Sequence, residues 1–118
     1  MATTPGLAHM VYFELSDASP AKIDELIAAC NEYLDNHPGL DYFAVGRLNP
    51  DLARPVNDRN FHVSLHTAFA DRAAHDAYQI EPRHLKFIEL NKPNWKHVRV
   101  FDSDLAGAHY SLSCELPG

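Results

Sequence analysis

Tyr78 and His84 stand six residues apart in the run Tyr78-Gln79-Ile80-Glu81-Pro82-Arg83-His84-Leu85-Lys86-Phe87, on either side of a proline. Histidine is the side chain whose proton moves near neutral pH, and a tyrosine hydroxyl beside it can donate to a developing oxyanion. This pair is where a carbonyl compound could be enolised or cyclised. If Pro82 opens a helix, His84 lies near its N-terminus, where the dipole disfavours the imidazolium and leaves a neutral ring able to act as a base. Glu81, three residues before His84, argues the other way. A carboxylate close to the imidazole raises its pKa by roughly 1 to 3 units, against about 0.3 to 1 kcal/mol from a helix terminus. His84 would then serve as an acid or an anion contact. A structural reading also stands, in which Tyr78 caps the core with its hydroxyl at the surface and His84 donates to a backbone carbonyl.

The remaining chemistry-bearing residues point elsewhere. His62 and His66 on a strand would project from one face about 13 Å apart, at roughly 3.3 Å per residue, too far to share one ion. No metal site is expected. No glycine-rich phosphate loop and no Ser, His, Asp order is present, so no cofactor is expected either. His37 and His75 read as surface residues at helix ends, and Asp51, Arg54, Asp58 and Arg59 as a solvated loop.

The elements that must position Tyr78 and His84 are legible from periodicity. His9 to Leu15 alternates, with His9, Val11, Phe13 and Leu15 on one side, as a strand does. Ser19 and Pro20 start a helix to about Asn36, whose apolar stripe is Ile23, Leu26, Ile27, Cys30 and Leu34. Leu40 to Arg47 reads as a second strand, Asn49 to Asn60 as a long loop, and Phe61 to Phe69 as a third strand. Asp71 caps a short helix reaching Tyr78, and Pro82 opens another through about Leu90. Trp95 to Asp102 alternates as a fourth strand, and Tyr110 to Leu116 has weak strand character.

The order is βαββαβ, an α+β ferredoxin-like fold with both helical segments on one face of a four-stranded antiparallel sheet. The domain is expected over residues 8–102, with 103–118 a C-terminal extension. The face left bare carries Tyr12, His62, Ser64, His66, His97 and Arg99, with Met10 and Trp95. It is too aromatic for a solvent face and too polar for a core, so a homodimer with sheets facing each other is expected.

The chain has 118 residues, 46% of them hydrophobic, which suits one domain. A formal charge of -6 without clustered Lys and Arg argues against nucleic acid as a partner. Eight histidines make the net charge sensitive to acid. Cys30 and Cys114 read as reduced thiols, and with neither a secretion signal nor a bilayer-spanning run the expected location is cytoplasmic, with no membrane partner.

Strand one as His-Met-Val-Tyr-Phe-Glu-Leu, Pro38-Gly39, Gly46, the Tyr78 to Phe87 segment and Trp95-Lys96-His97-Val98-Arg99-Val100-Phe101-Asp102 together resemble the stress-responsive A/B barrel (Dabb) family over about residues 8 to 102. The resemblance implies a dimeric α/β barrel, in a family where most members have no established activity. A plant polyketide cyclase of that family works without a cofactor through a Tyr-x-x-His-Pro-x-His segment, and its catalytic tyrosine and base fall on Tyr78 and His84. Its strand-one histidine falls on His9. Its first segment histidine is Glu81 here, and its strand-three pocket histidine falls on Val63. A pocket lined by His9, Val11, Phe13, Leu65, Val98 and Val100 would suit a small aromatic or polyketide-like ligand. The expected function is a homodimeric Dabb protein with one such apolar pocket per subunit and an interface at Tyr12, His62, His66, His97 and Arg99. The alternative is a cofactor-free cyclase or lyase with His84 as base and Tyr78 as oxyanion donor.

Overall fold

A computed structural model describes residues 6–108. The weak strand expected at Tyr110 to Leu116, His109 and Cys114 lie outside them. The element order is β1 (Leu7–Leu15), α1 (Pro20–Tyr33), β2 (Leu40–Arg47), β3 (Val63–Phe69), α2 (Arg72–Gln79), α3 (Pro82–Asn91), a single 3-10 turn and β4 (Trp95–Asp104). The sheet order is β2-β3-β1-β4 with every neighbouring pair antiparallel, which is the ferredoxin-like arrangement.

Local chemistry sets the helix ends. Ser19 accepts from the Lys22 N–H ahead of Pro20, and Asp71 accepts from the Ala74 N–H at 2.8 Å. Glu81 caps α3 by accepting from the Arg83 N–H, with Pro82 at the first helical position. Glu81 is therefore spent on the backbone instead of pairing with His84. Arg83 reaches the carbonyls of Glu32 and Asp35, tying the start of α3 to the end of α1. The Glu32 carbonyl is one that the end of α1 leaves without an intrahelical donor, and the Asp35 carbonyl lies just beyond it.

β1 is one of the two inner strands, and its alternation assigns the two faces. Val11 lies opposite Leu65 and Val100, and Phe13 opposite Val63 and Val98. Leu7, Val11, Phe13 and Leu15 pack beneath the helices with Leu26, Cys30, Leu34, Tyr78 and Phe87. The other face carries Met10, Tyr12, His66, Arg99 and Phe101, and no element among the described residues covers it.

Trp95 does not join that open face. The register slips between Glu14 and Leu15, so that Glu14 pairs with His97 but Leu15 pairs with Trp95, leaving Lys96 as the extra residue. The bulge turns Trp95 to the helix side, where its ring lies 5.0 Å from Phe13 and 5.8 Å from Phe87. His62 meets the same irregularity, its Nδ1 accepting the Leu15 N–H at 3.0 Å.

Gly39 closes the approach of α1 to α2. Its φ is +80°, and a Cβ there would fall 2.4 Å from the Ala74 Cβ. Gly39→Ala is expected to lose at least about 1 to 2 kcal/mol of unfolding free energy, the cost of a left-handed side-chain residue, and more from displacing α2. Urea unfolding checks this; a loss near zero would show that α2 is not seated against the glycine.

Candidate functional site

Tyr78 ends α2 and is 2% exposed, while His84 sits at the third position of α3 and is 8% exposed. The two rings, carried by consecutive helices, meet at 4.5 Å between centroids. His37, at the end of the α1–β2 turn, packs edge-on against the other side of the phenol at 4.9 Å. His9 reaches Tyr78 from β1 at 6.3 Å and touches His75 of α2 at 5.1 Å. The Cys30 thiol and Phe69 complete the surroundings. One phenol is thus enclosed by three imidazoles contributed by β1, the turn after α1, and α3.

Hydrogen bonds fix the tautomers. The Gln79 carbonyl can only accept, so His84 donates from Nδ1 at 3.2 Å, and in the neutral ring Nε2 keeps its lone pair. By the same logic His37 donates from Nε2 to the Tyr33 carbonyl at 3.0 Å. His9 Nδ1 meets the Asp102 carboxylate across the β1–β4 ladder, and its own carbonyl accepts from the Thr67 hydroxyl at 2.6 Å.

Burial decides the protonation states. Loss of solvation holds the His84 pKa below 6.5, with His9 and His37 pushing the same way and the Gln79 carbonyl and Glu81 opposing. Desolvation and the helix-terminus effect anticipated from Pro82 act in the same direction, both disfavouring the imidazolium. Tyr78 is pushed well above its ordinary value, and burial pushes the Cys30 thiol up to about 12. At neutral pH the site holds a neutral imidazole with a free Nε2 lone pair beside a protonated phenol. Such a pair can accept a proton and donate a hydrogen bond at once.

Of the residues named from sequence, Tyr78, His84 and His9 come together, and Val11, Phe13, Leu65 and Val98 lie on the same helix-covered face. Val100 shares that face at the β4 edge and is half exposed. His37, expected at the surface, is buried because Gly39 folds the turn back against α2. His75, read from sequence as a surface residue at a helix end, has a side chain only 15% exposed, and Asp102 was not singled out as a site residue, since no local pattern links α2 to β4. Tyr12, His66, His97 and Arg99 lie on the open face, where Tyr12 contacts Phe61, His66 and Phe101 edge-on. A hollow of about 490 Å³ lies on that open face, between the sheet and the loop after β2, lined by Met10, Tyr12, Leu52, Phe61, Arg99 and Phe101 among others. It does not reach Tyr78 or His84.

His84 gives the fold a signed pH dependence. Its folded pKa lies below the unfolded 6.5, so below about pH 6.5 the unfolded chain binds the additional proton and stability falls as pH falls. His66, also held low by burial, acts in the same direction. Unfolding free energy measured from neutral pH down to about 5 is expected to decline less steeply in His84→Gln than in the parent; equal slopes would show that His84 contributes nothing.

Comparison with known proteins agrees with this fold. A dimeric ferredoxin-like protein of unknown function from Thermobifida fusca superposes with a TM-score of 0.74 at 20% identity, over 89% of this chain and 95% of that one. A Dabb family protein with a ferredoxin-like fold from Mesorhizobium loti gives 0.72 at 24% identity, over 87% and 99%. The hydroxynitrile lyase from Passiflora edulis gives 0.69 at 21% identity, over 89% and 97%. At these identities the likeness is one of fold. No curated protein sequence matches the chain. Residues 7–105 match the Stress responsive A/B Barrel Domain, and the chain belongs to the Dabb family.

Proposed function

We propose that the protein is a homodimer whose subunits each bind a small aromatic or polyketide-like molecule between sheet and helices, next to Tyr78 and His84. The observation that carries this reading is the enclosure of one buried phenol by three imidazoles. A core needs no such grouping, because every buried ring nitrogen must be desolvated and then satisfied. Clusters of perturbed titratable groups are characteristic of sites. In this form the rings fill the space, so a ligand enters by displacing side chains from the β4 side, where Val100 and Asp102 are accessible. Val11, Phe13, Leu65 and Val98 would supply its apolar wall.

Dimerisation through the open sheet face is supported by the aromatic cluster around Tyr12, the exposed Phe101 and the hollow beside it. The proteins from Thermobifida fusca and Jannaschia with this fold are described as dimeric. A second subunit would bury Phe101 and Leu52 and meet His66, His97 and Arg99 at the same surface.

The His84 tautomer favours a second reading, a cofactor-free lyase or cyclase. His84 Nε2 would take a proton from the carbon next to a carbonyl, while Tyr78 donates to the carbonyl oxygen as it gains charge. His9 would be a further polar contact. A hydroxynitrile lyase shares the fold.

Sedimentation near neutral pH is expected to give a dimer, and Phe101→Asp a monomer; a monomeric parent would overturn the interface. Calorimetric titration with a panel of aromatic and β-keto compounds is expected to find a ligand bound at least about tenfold more weakly by Tyr78→Phe or His84→Ala, roughly 1.4 kcal/mol, the scale of one buried hydrogen bond. Failure of every compound, or equal binding by both variants, would contradict the site. Turnover of a bound compound that both variants abolish would select the enzyme.

A further inference from the structure

We propose that His9, His75 and Asp102 form a binding site for a divalent first-row transition-metal ion of the zinc type. One ligand atom from each lies within 4.8 Å of the other two. The three come from β1, α2 and β4, so tertiary folding alone brings them together.

Each ligand is held as a metal ligand should be. His9 is 7% exposed, fixed in the centre of the sheet between Thr67 and Asp102, and its Nδ1 already faces the Asp102 carboxylate. His75 has a side chain only 15% exposed; its Nδ1 lies 3.0 Å from Asp76, and its Nε2 lies 3.4 Å from the Gln79 side-chain amide, which an ion bound at Nε2 would displace. A carboxylate on one imidazole nitrogen orients the ring and raises the basicity of the other nitrogen, the arrangement found behind histidine metal ligands. Asp102 is 48% exposed on an edge strand, so it can turn, and the solvent side leaves a coordination position for water.

The local charge favours a cation. Asp76, Asp102 and Asp104 all act on Arg72, which is paired with Asp76. Three carboxylates therefore act on one guanidinium. Bonds of about 2.0 to 2.2 Å to nitrogen and oxygen require the ion to take the place of the proton between His9 and Asp102. The small opening this needs falls on the exposed carboxylate. Two imidazoles with one carboxylate suit zinc, cobalt or ferrous iron, and suit magnesium or calcium poorly. From sequence, no metal is expected on the spacing of His62 and His66; His9, His75 and Asp102 share no local spacing that would have brought them up. The inference needs neither Tyr78 nor His84 and does not rest on the ligand reading above.

The test uses the full chain after chelator treatment, titrated with Zn(II) by calorimetry and with Co(II) by visible absorption. One ion per subunit is expected, with the intense Co(II) bands of a four-coordinate site and no competition from Mg(II). His75→Ala and Asp102→Asn, both nearer the surface than His9, are each expected to weaken binding at least about tenfold. His97→Gln, on the opposite face of the sheet, is expected to leave it unchanged. Absence of binding, binding that survives both ligand substitutions, or loss on changing His97 would overturn the proposal.

Discussion

Everything in this structure depends on the register of β1 between β3 and β4. As an inner strand it pairs on both sides, so its two-residue alternation assigns faces to three strands at once. Val11 and Phe13 point under the helices and bring Leu65, Val63, Val98 and Val100 with them. His9 belongs to the same set, and the ladder carries it opposite Asp102 on one side and Thr67 on the other. A slip of one residue would move the core to the open face and the polar site with it. The bulge at Lys96 sits beyond Phe13 and therefore leaves this arrangement intact while redirecting Trp95.

The helices convert that register into a site. Glu81 ends the joint between α2 and α3 by capping the Arg83 N–H, and Arg83 locks the joint to the end of α1. Tyr78 and His84, on opposite sides of this joint, are left ring against ring. Gly39 lets the chain after α1 approach α2 closely enough for His37 to close the far side. Desolvation then holds His84 neutral and Tyr78 protonated. Backbone carbonyls at Gln79 and Tyr33 satisfy one nitrogen on each of His84 and His37, which makes the burial of so many polar rings tolerable.

Strands and helix starts were legible in the sequence because each is written locally. Ser19-Pro20, Asp71 and Glu81-Pro82 carry their own caps, and His9 to Leu15 carries its own alternation. Tyr78 and His84 were readable as a pair for the same reason. Trp95 was misplaced because a bulge leaves no mark in an alternating run until its partner strand is known. His37 looked like a surface residue because helix ends are usually exposed; its burial comes from a close approach permitted by Gly39. His75 and Asp102 join His9 only through the packing of α2 over the β1–β4 edge, a long-range consequence that no window of sequence contains.

The claim at the centre of this account is that the buried site holds a neutral His84 whose Nδ1 carries the proton and whose Nε2 is free beside Tyr78. Nitrogen-15 NMR of the histidine side chains reads this directly. The account requires His84 to show the Nδ1–H tautomer at neutral pH and to titrate below the ordinary 6.5. An Nε2–H tautomer, or a ring that is already charged at neutral pH, would contradict it.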